Sequence, residues 1–167
     1  PAGLRAMMDP LGLTMPSAHF AIDDLEAKPD EMLALAKTLG VQSMYAPFLH
    51  PNDRPTDVAG WTAFAERLAA AGKVVTAAGF NFGWHNHDFE FVTLEDGSTP
   101  MEIILKTAVD LEWEADLAWV VRGGADPFEW IDRYAGRITS GHLKDIVPEG
   151  ECMDEDGWAD VGEGVMP

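Results

Sequence analysis

Apolar residues fall along the chain in two rhythms: short runs of strand length, and longer stretches that recur every three or four residues. Leu13 to Phe20 reads as a strand ending near His19. From Asp30 a helix carries Met32, Leu33, Leu35, Ala36 and Leu39 at helical spacing, with Gly40 placed to cap it. Val41 to Phe48 is a second strand, followed by the polar loop His50-Pro51-Asn52-Asp53-Arg54-Pro55. Thr56 or Asp57 caps the next helix, in which Trp61, Phe64, Ala65, Leu68 and Ala69 keep helical period and which continues past Gly72 to about Ala78. Phe80 to Phe91 is a third strand, and a turn at Asp96-Gly97-Ser98 leads into a helix from about Pro100 through Ala108. Leu111 to Val121 reads as a fourth strand, Pro127 to Tyr134 as a helix capped by Asp126, and Ile138 to Lys144 as a fifth strand. Residues 147–167 are polar, acidic and glycine-containing, and read as a long loop.

Strand and helix alternate through about five βα units, so the expectation is one α/β domain over residues 1–167, with parallel strands joined by helical crossovers. A doubly wound sheet and a (β/α)8 TIM barrel both fit this order. No Gly-x-Gly-x-x-Gly follows a strand, which weakens the dinucleotide-binding form of the doubly wound sheet.

Charge narrows the partners. The chain holds 11 Lys+Arg against 29 Asp+Glu, a formal net charge of −18. That balance argues against a nucleic-acid or anionic-membrane surface, since both require basic patches. Hydrophobic residues make up 47%, enough for a buried core, so the acidity does not signal disorder. A single cysteine, Cys152, leaves no internal disulfide framework and no Cys-rich zinc site, and its acidic surroundings do not favour a nucleophile. No apolar run approaches the roughly 18 residues of a membrane span, and Pro1-Ala2-Gly3-Leu4-Arg5 has no signal-peptide pattern. A cytoplasmic protein is expected.

Candidate chemistry lies near the ends of the last three strands. Glu90, Asp116 and His142 are each 26 residues from the next, a compact version of the roughly 31-residue unit of a barrel. Side chains at equivalent heights on neighbouring parallel strands, about 4.8 Å apart, converge on one cavity. Two carboxylates and an imidazole suit one divalent ion such as Mn²⁺, Mg²⁺, Co²⁺ or Zn²⁺. Among 29 acids some will match any period by chance, but Asp116 lies in an otherwise apolar run, where an unpaired buried charge is costly. His85 and His87 share one strand face and offer a competing His-x-His chelate, with Asn86, Asp88 and Glu90 on the other face unless a bulge turns Glu90 inward. Lys144 follows His142 on the same face and is a candidate for holding a substrate oxyanion or phosphate, or for stabilising an enediolate. His19 can line the same mouth. Trp84 and Trp119 are the tryptophans best placed for a sugar-facing wall, and the other four read as packing.

Trp84-His85-Asn86-His87-Asp88-Phe89-Glu90-Phe91 resembles a signature of sugar phosphate isomerase/epimerase-like proteins of the xylose-isomerase-like barrel superfamily. Asp116-Leu117-Ala118-Trp119-Val120 with Gly124-Ala125-Asp126-Pro127 resembles the next block of that family. Gly136-Arg137-Ile138, His142-Leu143-Lys144-Asp145 and Val161-Gly162-Glu163-Gly164 resemble the third. The resemblance implies a (β/α)8 barrel that binds one divalent metal through Glu90, Asp116, His142 and a second Glu on the last strand. No counterpart of that last strand precedes Pro167, and the family's first strand and helix have none at the start. The chain is therefore expected to be an incomplete barrel missing both ends, whose exposed sheet edges partner chains of a homo-oligomer could cover. The resemblance also implies a small-molecule sugar substrate, isomerised or epimerised by proton abstraction beside a carbonyl through an enediolate. Glu90 or the missing Glu, together with Lys144, is the expected catalytic group; His19, His85, His87, Trp119 and Lys144 are the expected substrate contacts. Trp84 stands where the family usually has Tyr, and Trp119 where related epimerases place a substrate-binding His. That second departure makes a dehydratase or lyase acting on keto-sugars or 3-keto-glycosides the alternative, with a non-catalytic sugar-binding protein as a further one. A metal-dependent endonuclease of the same superfamily is disfavoured by the charge of −18.

Overall fold

A computed structural model describes residues 1–166; the last residue of the expected domain and loop, Pro167, lies outside the described residues. Five parallel strands form one sheet in sequence order: β1 (Ser17–His19), β2 (Ser43–Ala46), β3 (Asn81–His85), β4 (Glu112–Asp116) and β5 (Ile138–His142). The sheet is curled into a half-barrel, an incomplete (β/α)8 TIM barrel. The helices are α1 (Ala2–Met8), α2 (Ile22–Ala27), α3 (Pro29–Leu39), α4 (Val58–Ala77), α5 (Pro100–Thr107), α6 (Leu117–Arg122) and α7 (Pro127–Tyr134). A separate antiparallel pair, β6 (Asp145–Ile146) with β7 (Trp158–Ala159), follows β5.

Alternation along the strands sorts the sheet into two unlike faces. Met44, Ala46, Phe82, Trp84, Trp113 and Ala115 join the core beneath the helices. The intervening positions are polar or small: Ser17 and His19, Ser43 and Tyr45, Asn81, Gly83 and His85, Glu112, Glu114 and Asp116. α4 supplies the widest apolar contact, with Trp61, Phe64, Ala65, Leu68, Ala71 and Val75 all buried. Its Gly72 faces Phe82, whose ring would lie 3.0 Å from an added Cβ, so the missing side chain admits the helix to the sheet. Gly83 serves a similar end on the inner face, where a Cβ would meet the Tyr45 ring at 2.6 Å and the Glu112 carbonyl at 2.7 Å.

Local chemistry sets the helix ends. The Gly60 amide donates to Asp57 Oδ1 at 2.7 Å and the Phe128 amide to Asp126 Oδ1 at 2.8 Å, both as N-caps, and Pro127 fills the first turn of α7. Gly40 closes α3 at φ +79°, in the left-handed region that disfavours a side chain.

Three differences from the expected elements matter for the site. The third strand stops at His85 rather than Phe91; residues 89–91 form a 3-10 turn instead. The fourth strand stops at Asp116 rather than Val121, because the Asp116 carboxylate accepts the Trp119 amide at 3.2 Å and starts α6. The apolar run Leu117–Val121 suits either structure, and the cap decides it. Within the expected loop of residues 147–167, Trp158–Ala159 pairs with Asp145–Ile146, and α1 and α2 are additional to the elements expected near the start.

Asp145 seats this terminal region. Its carboxylate accepts backbone N–H groups from Ile146 at 2.8 Å, Gly162 at 3.0 Å, Gly164 at 3.1 Å and Met166 at 3.0 Å. These bonds, that from Met166 foremost, hold the carboxyl below its usual value of 3.8. The contribution is therefore present above pH 3.8 and is lost as pH falls through the lower folded value. Asp145→Ala is expected to strip exchange protection from the Gly162, Gly164 and Met166 amides at neutral pH, while amides of β2 and β3 keep theirs, as hydrogen exchange followed by NMR would show.

Candidate functional site

Parallel strands of a βα array deliver their chemistry at their C-terminal ends, where the following loops begin. His19, His85, Asp116 and His142 are the last residues of β1, β3, β4 and β5. Strand register sets their heights. His85 lies opposite Glu114, Glu114 opposite Ser140, and Asp116 opposite His142. An irregularity between Trp113 and Glu114 in the β4–β5 pairing keeps Glu114 and Asp116 on the face of Ser140 and His142.

Glu114 lies at the centre. Only 2% exposed, its Oε2 stands 2.5 Å from His19 Nε2, 3.4 Å from His85 Nδ1 and 3.5 Å from His142 Nε2, while Oε1 accepts the Ser140 hydroxyl at 2.9 Å. The ligand-type atoms of His19, His85, Glu114 and His142 all lie within 4.8 Å of one another. The three imidazoles gather at 4.4 to 5.5 Å between centroids. Burial raises the Glu114 carboxyl's pKa, but hydrogen bonds from His19 and Ser140 outweigh it and hold the group below its usual value. Burial also lowers His85 to about 3, reinforced by the neighbouring imidazoles, so this ring is neutral. Its Nδ1 is buried and has no hydrogen-bond partner among the described residues, an unfilled valence within a set of ligand-type atoms spaced closely enough to share a metal ion.

Asp116 and Lys144 form the second group. The Asp116 carboxylate is fully buried, with Oδ2 2.7 Å from Lys144 Nζ and 3.8 Å from His142 Nδ1. Lys144 also lies 5.3 Å from the Trp119 ring and 4.8 Å from the Trp158 ring, which pack edge to face at 4.9 Å. His87 bridges the two groups, 5.2 Å from the His85 ring and 5.3 Å from that of Trp119. Burial, aided by the Lys144 charge, lowers its pKa and keeps it neutral near pH 7.

Glu90 stands apart. Its Oε1 accepts the Trp84 indole N–H at 2.9 Å and its Oε2 the His87 amide at 2.9 Å, within full burial that raises its carboxyl to about 8. Both oxygens thus serve the loop after β3, and the geometry does not bring Glu90 into the histidine cluster. Trp84 is likewise fully buried, edge to face with Phe64, and forms no exposed wall. The sequence reading passed over Glu114, although Glu112-Trp113-Glu114-Ala115-Asp116 repeats an acid at every second position, the period of one strand face. The mouth is open rather than enclosed. A cavity of about 250 Å³ between α4, α5 and the opposite strand ends is lined mainly by apolar residues such as Leu68, Phe82 and Leu111, whereas another of about 350 Å³ runs beside β5 at His142 and Lys144.

No protein-family model and no curated protein sequence matches the chain. Solved structures do. A sugar phosphate isomerase/epimerase from Parabacteroides distasonis ATCC 8503 superposes with a TM-score of 0.77 at 26% identity, covering 90% of this chain and 59% of that one. A probable 3-DHS dehydratase, AsbF, from Bacillus anthracis matches at TM-score 0.72 and 12% identity, over 99% of this chain and 68% of its own. The IOLI protein, solved with a bound zinc atom, matches at TM-score 0.72 and 14% identity, over 98% and 64%. Xylose isomerase domain proteins also share the fold. The chain spans less than two thirds of the length of the isomerase/epimerase it resembles.

Replacing Lys144 leaves the Asp116 carboxylate buried without its cation. Lys144→Met is expected to destabilise the protein by about 3 kcal/mol, at the low end for breaking a buried pair because the Lys144 side chain is 31% exposed. Urea denaturation checks this, and adding Asp116→Asn should recover most of the loss.

Proposed function

We propose that the chain carries part of the active site of a divalent-metal-dependent sugar or sugar phosphate isomerase/epimerase. The observation supporting this reading is the convergence of four imidazoles, two carboxylates and one ammonium at the C-terminal ends of neighbouring strands, in a fold shared with proteins of that kind. An ion held at this mouth would supply Lewis-acid polarisation of a substrate carbonyl. The unpartnered imidazole of the histidine cluster and the acidic oxygen beside it fit such an ion.

The chain's own residues supply the rest. Neutral His87, half-buried at the mouth between His85 and Trp119, is the group we assign to accept the proton beside the carbonyl. Lys144, fixed by Asp116, stabilises the oxyanion that develops as the proton leaves. Trp119, half-buried between His87 and Trp158, closes the side of the mouth and limits water. Return of the proton to the neighbouring carbon gives isomerisation, and return to the opposite face gives epimerisation. A dehydratase or lyase is the second reading, favoured by the indole of Trp119 close to the mouth and by the fold shared with the probable dehydratase; there the same carbanion expels a β-hydroxyl.

The test is exchange in D₂O with Mn²⁺, Co²⁺ or Zn²⁺ and a panel of ketoses, ketose phosphates and 3-keto-glycosides, followed by NMR. Deuterium at the carbon beside the carbonyl, abolished by a chelator and reduced on the order of 100-fold by His87→Gln, is the expected result. An unsaturated product without deuterated isomer selects the lyase. Binding of a sugar with no exchange and no elimination selects a sugar-binding protein.

A further inference from the structure

Resting on the reading above, we infer that the ion is held by His19, His85, Glu114 and His142, and that Glu90 and Asp116 are not ligands. Four observations lead to this assignment. His85 is 3% exposed, and its buried Nδ1 faces Glu114 Oε2 at 3.4 Å without forming a hydrogen bond. His142 Nε2 stands equally far off, at 3.5 Å. These gaps are too long for good hydrogen bonds, and they leave room for an ion to bind both groups after small rotamer adjustments. Glu114 is itself buried and anchored through its other oxygen to Ser140, so it is positioned before any ion arrives.

The alternative carboxylates are committed elsewhere. Glu90 uses both oxygens on Trp84 and His87 donors, whereas Asp116 uses one on the Trp119 amide and holds the other, which accepts no hydrogen bond among the described residues, in an ion pair with the Lys144 ammonium. Asp116 Oδ2 lies 3.8 Å from His142 Nδ1, on the far side of that ring from Glu114. Asp116 is therefore a positioning residue, whose charge acts on the His142 ring from behind without a hydrogen bond to it.

A set of three imidazoles and one carboxylate is nitrogen-rich. Imidazole suits Zn²⁺, Co²⁺ and Fe²⁺, whereas Mg²⁺ and Mn²⁺ prefer oxygen. The cage therefore selects the former ions.

The test uses chelator-stripped protein titrated with Zn²⁺ or Co²⁺ alone, with metal content and the Co²⁺ visible spectrum as readouts. One tightly bound ion is expected, not displaced by millimolar Mg²⁺. His85→Ala and Glu114→Gln should weaken binding more than about 100-fold, Asp116→Asn about 10- to 100-fold, and Glu90→Gln less than about threefold. His19→Gln, at a side chain 36% exposed, is the variant least able to disturb folding; it should remove one nitrogen ligand and shift the Co²⁺ bands. Release of the ion by Glu90→Gln with retention in His19→Gln overturns the assignment and leaves the metal-dependent reading standing. A wild-type protein that binds neither ion overturns both.

Discussion

Trp84 and Trp113 face each other across β3 and β4, both fully buried, and each indole carries an N–H that must find an acceptor in the core. They find it in the same short loop. Trp113 donates to Asn86 Oδ1 at 2.8 Å, and Trp84 to Glu90 at 2.9 Å. Asn86 then accepts the Asp116 amide and donates to the Asp116 carbonyl, which joins the ends of β3 and β4. Two apolar anchors thus dictate where two polar residues go, and the polar residues fix the height of the next strand's carboxylate. The side chains of His85 and His87, which alternate with Trp84 and Asn86, carry no such obligation.

This division of labour explains why the motif spanning residues 84–91 could be found but not parsed from sequence. Strand parity places His85 and His87 on one face and Asn86 and Glu90 on the other only while the strand continues. The backbone leaves the strand at His85, so beyond it the side-chain hydrogen bonds of Asn86 and Glu90 decide direction. Asp116 was legible as a buried acid in an apolar run, but its role as the cap of α6 depends on a turn that the run of Leu117 to Val121 conceals. Glu114 was hidden for the opposite reason: two other acids share its strand, and nothing local distinguishes the one that meets three histidines. His19, 95 residues distant in sequence, is the partner that singles it out.

The fold itself was more legible, because alternation of helix and strand and the caps at Asp57, Asp126 and Gly40 are short-range signals. The inner face of the sheet is the less obvious part. A fully buried parallel sheet reads as continuous apolar runs. Here Ser43, Tyr45, Asn81 and Glu112 interrupt them because they face the barrel interior, where the Tyr45 hydroxyl donates to Thr139 and Thr139 donates to Glu112.

Strand order that follows sequence order has a consequence for how the molecule comes to exist. Each strand pairs with the one made just before it, so the array can grow from its N-terminal end as the chain emerges during synthesis, with no strand waiting for a distant mate. The histidine–glutamate cluster obeys a different clock. Its first member is on β1 and its last on β5, so it cannot close until the fifth strand has docked. The four side chains therefore stay apart while the first four strands assemble, and their convergence reports that all five strands have docked in order.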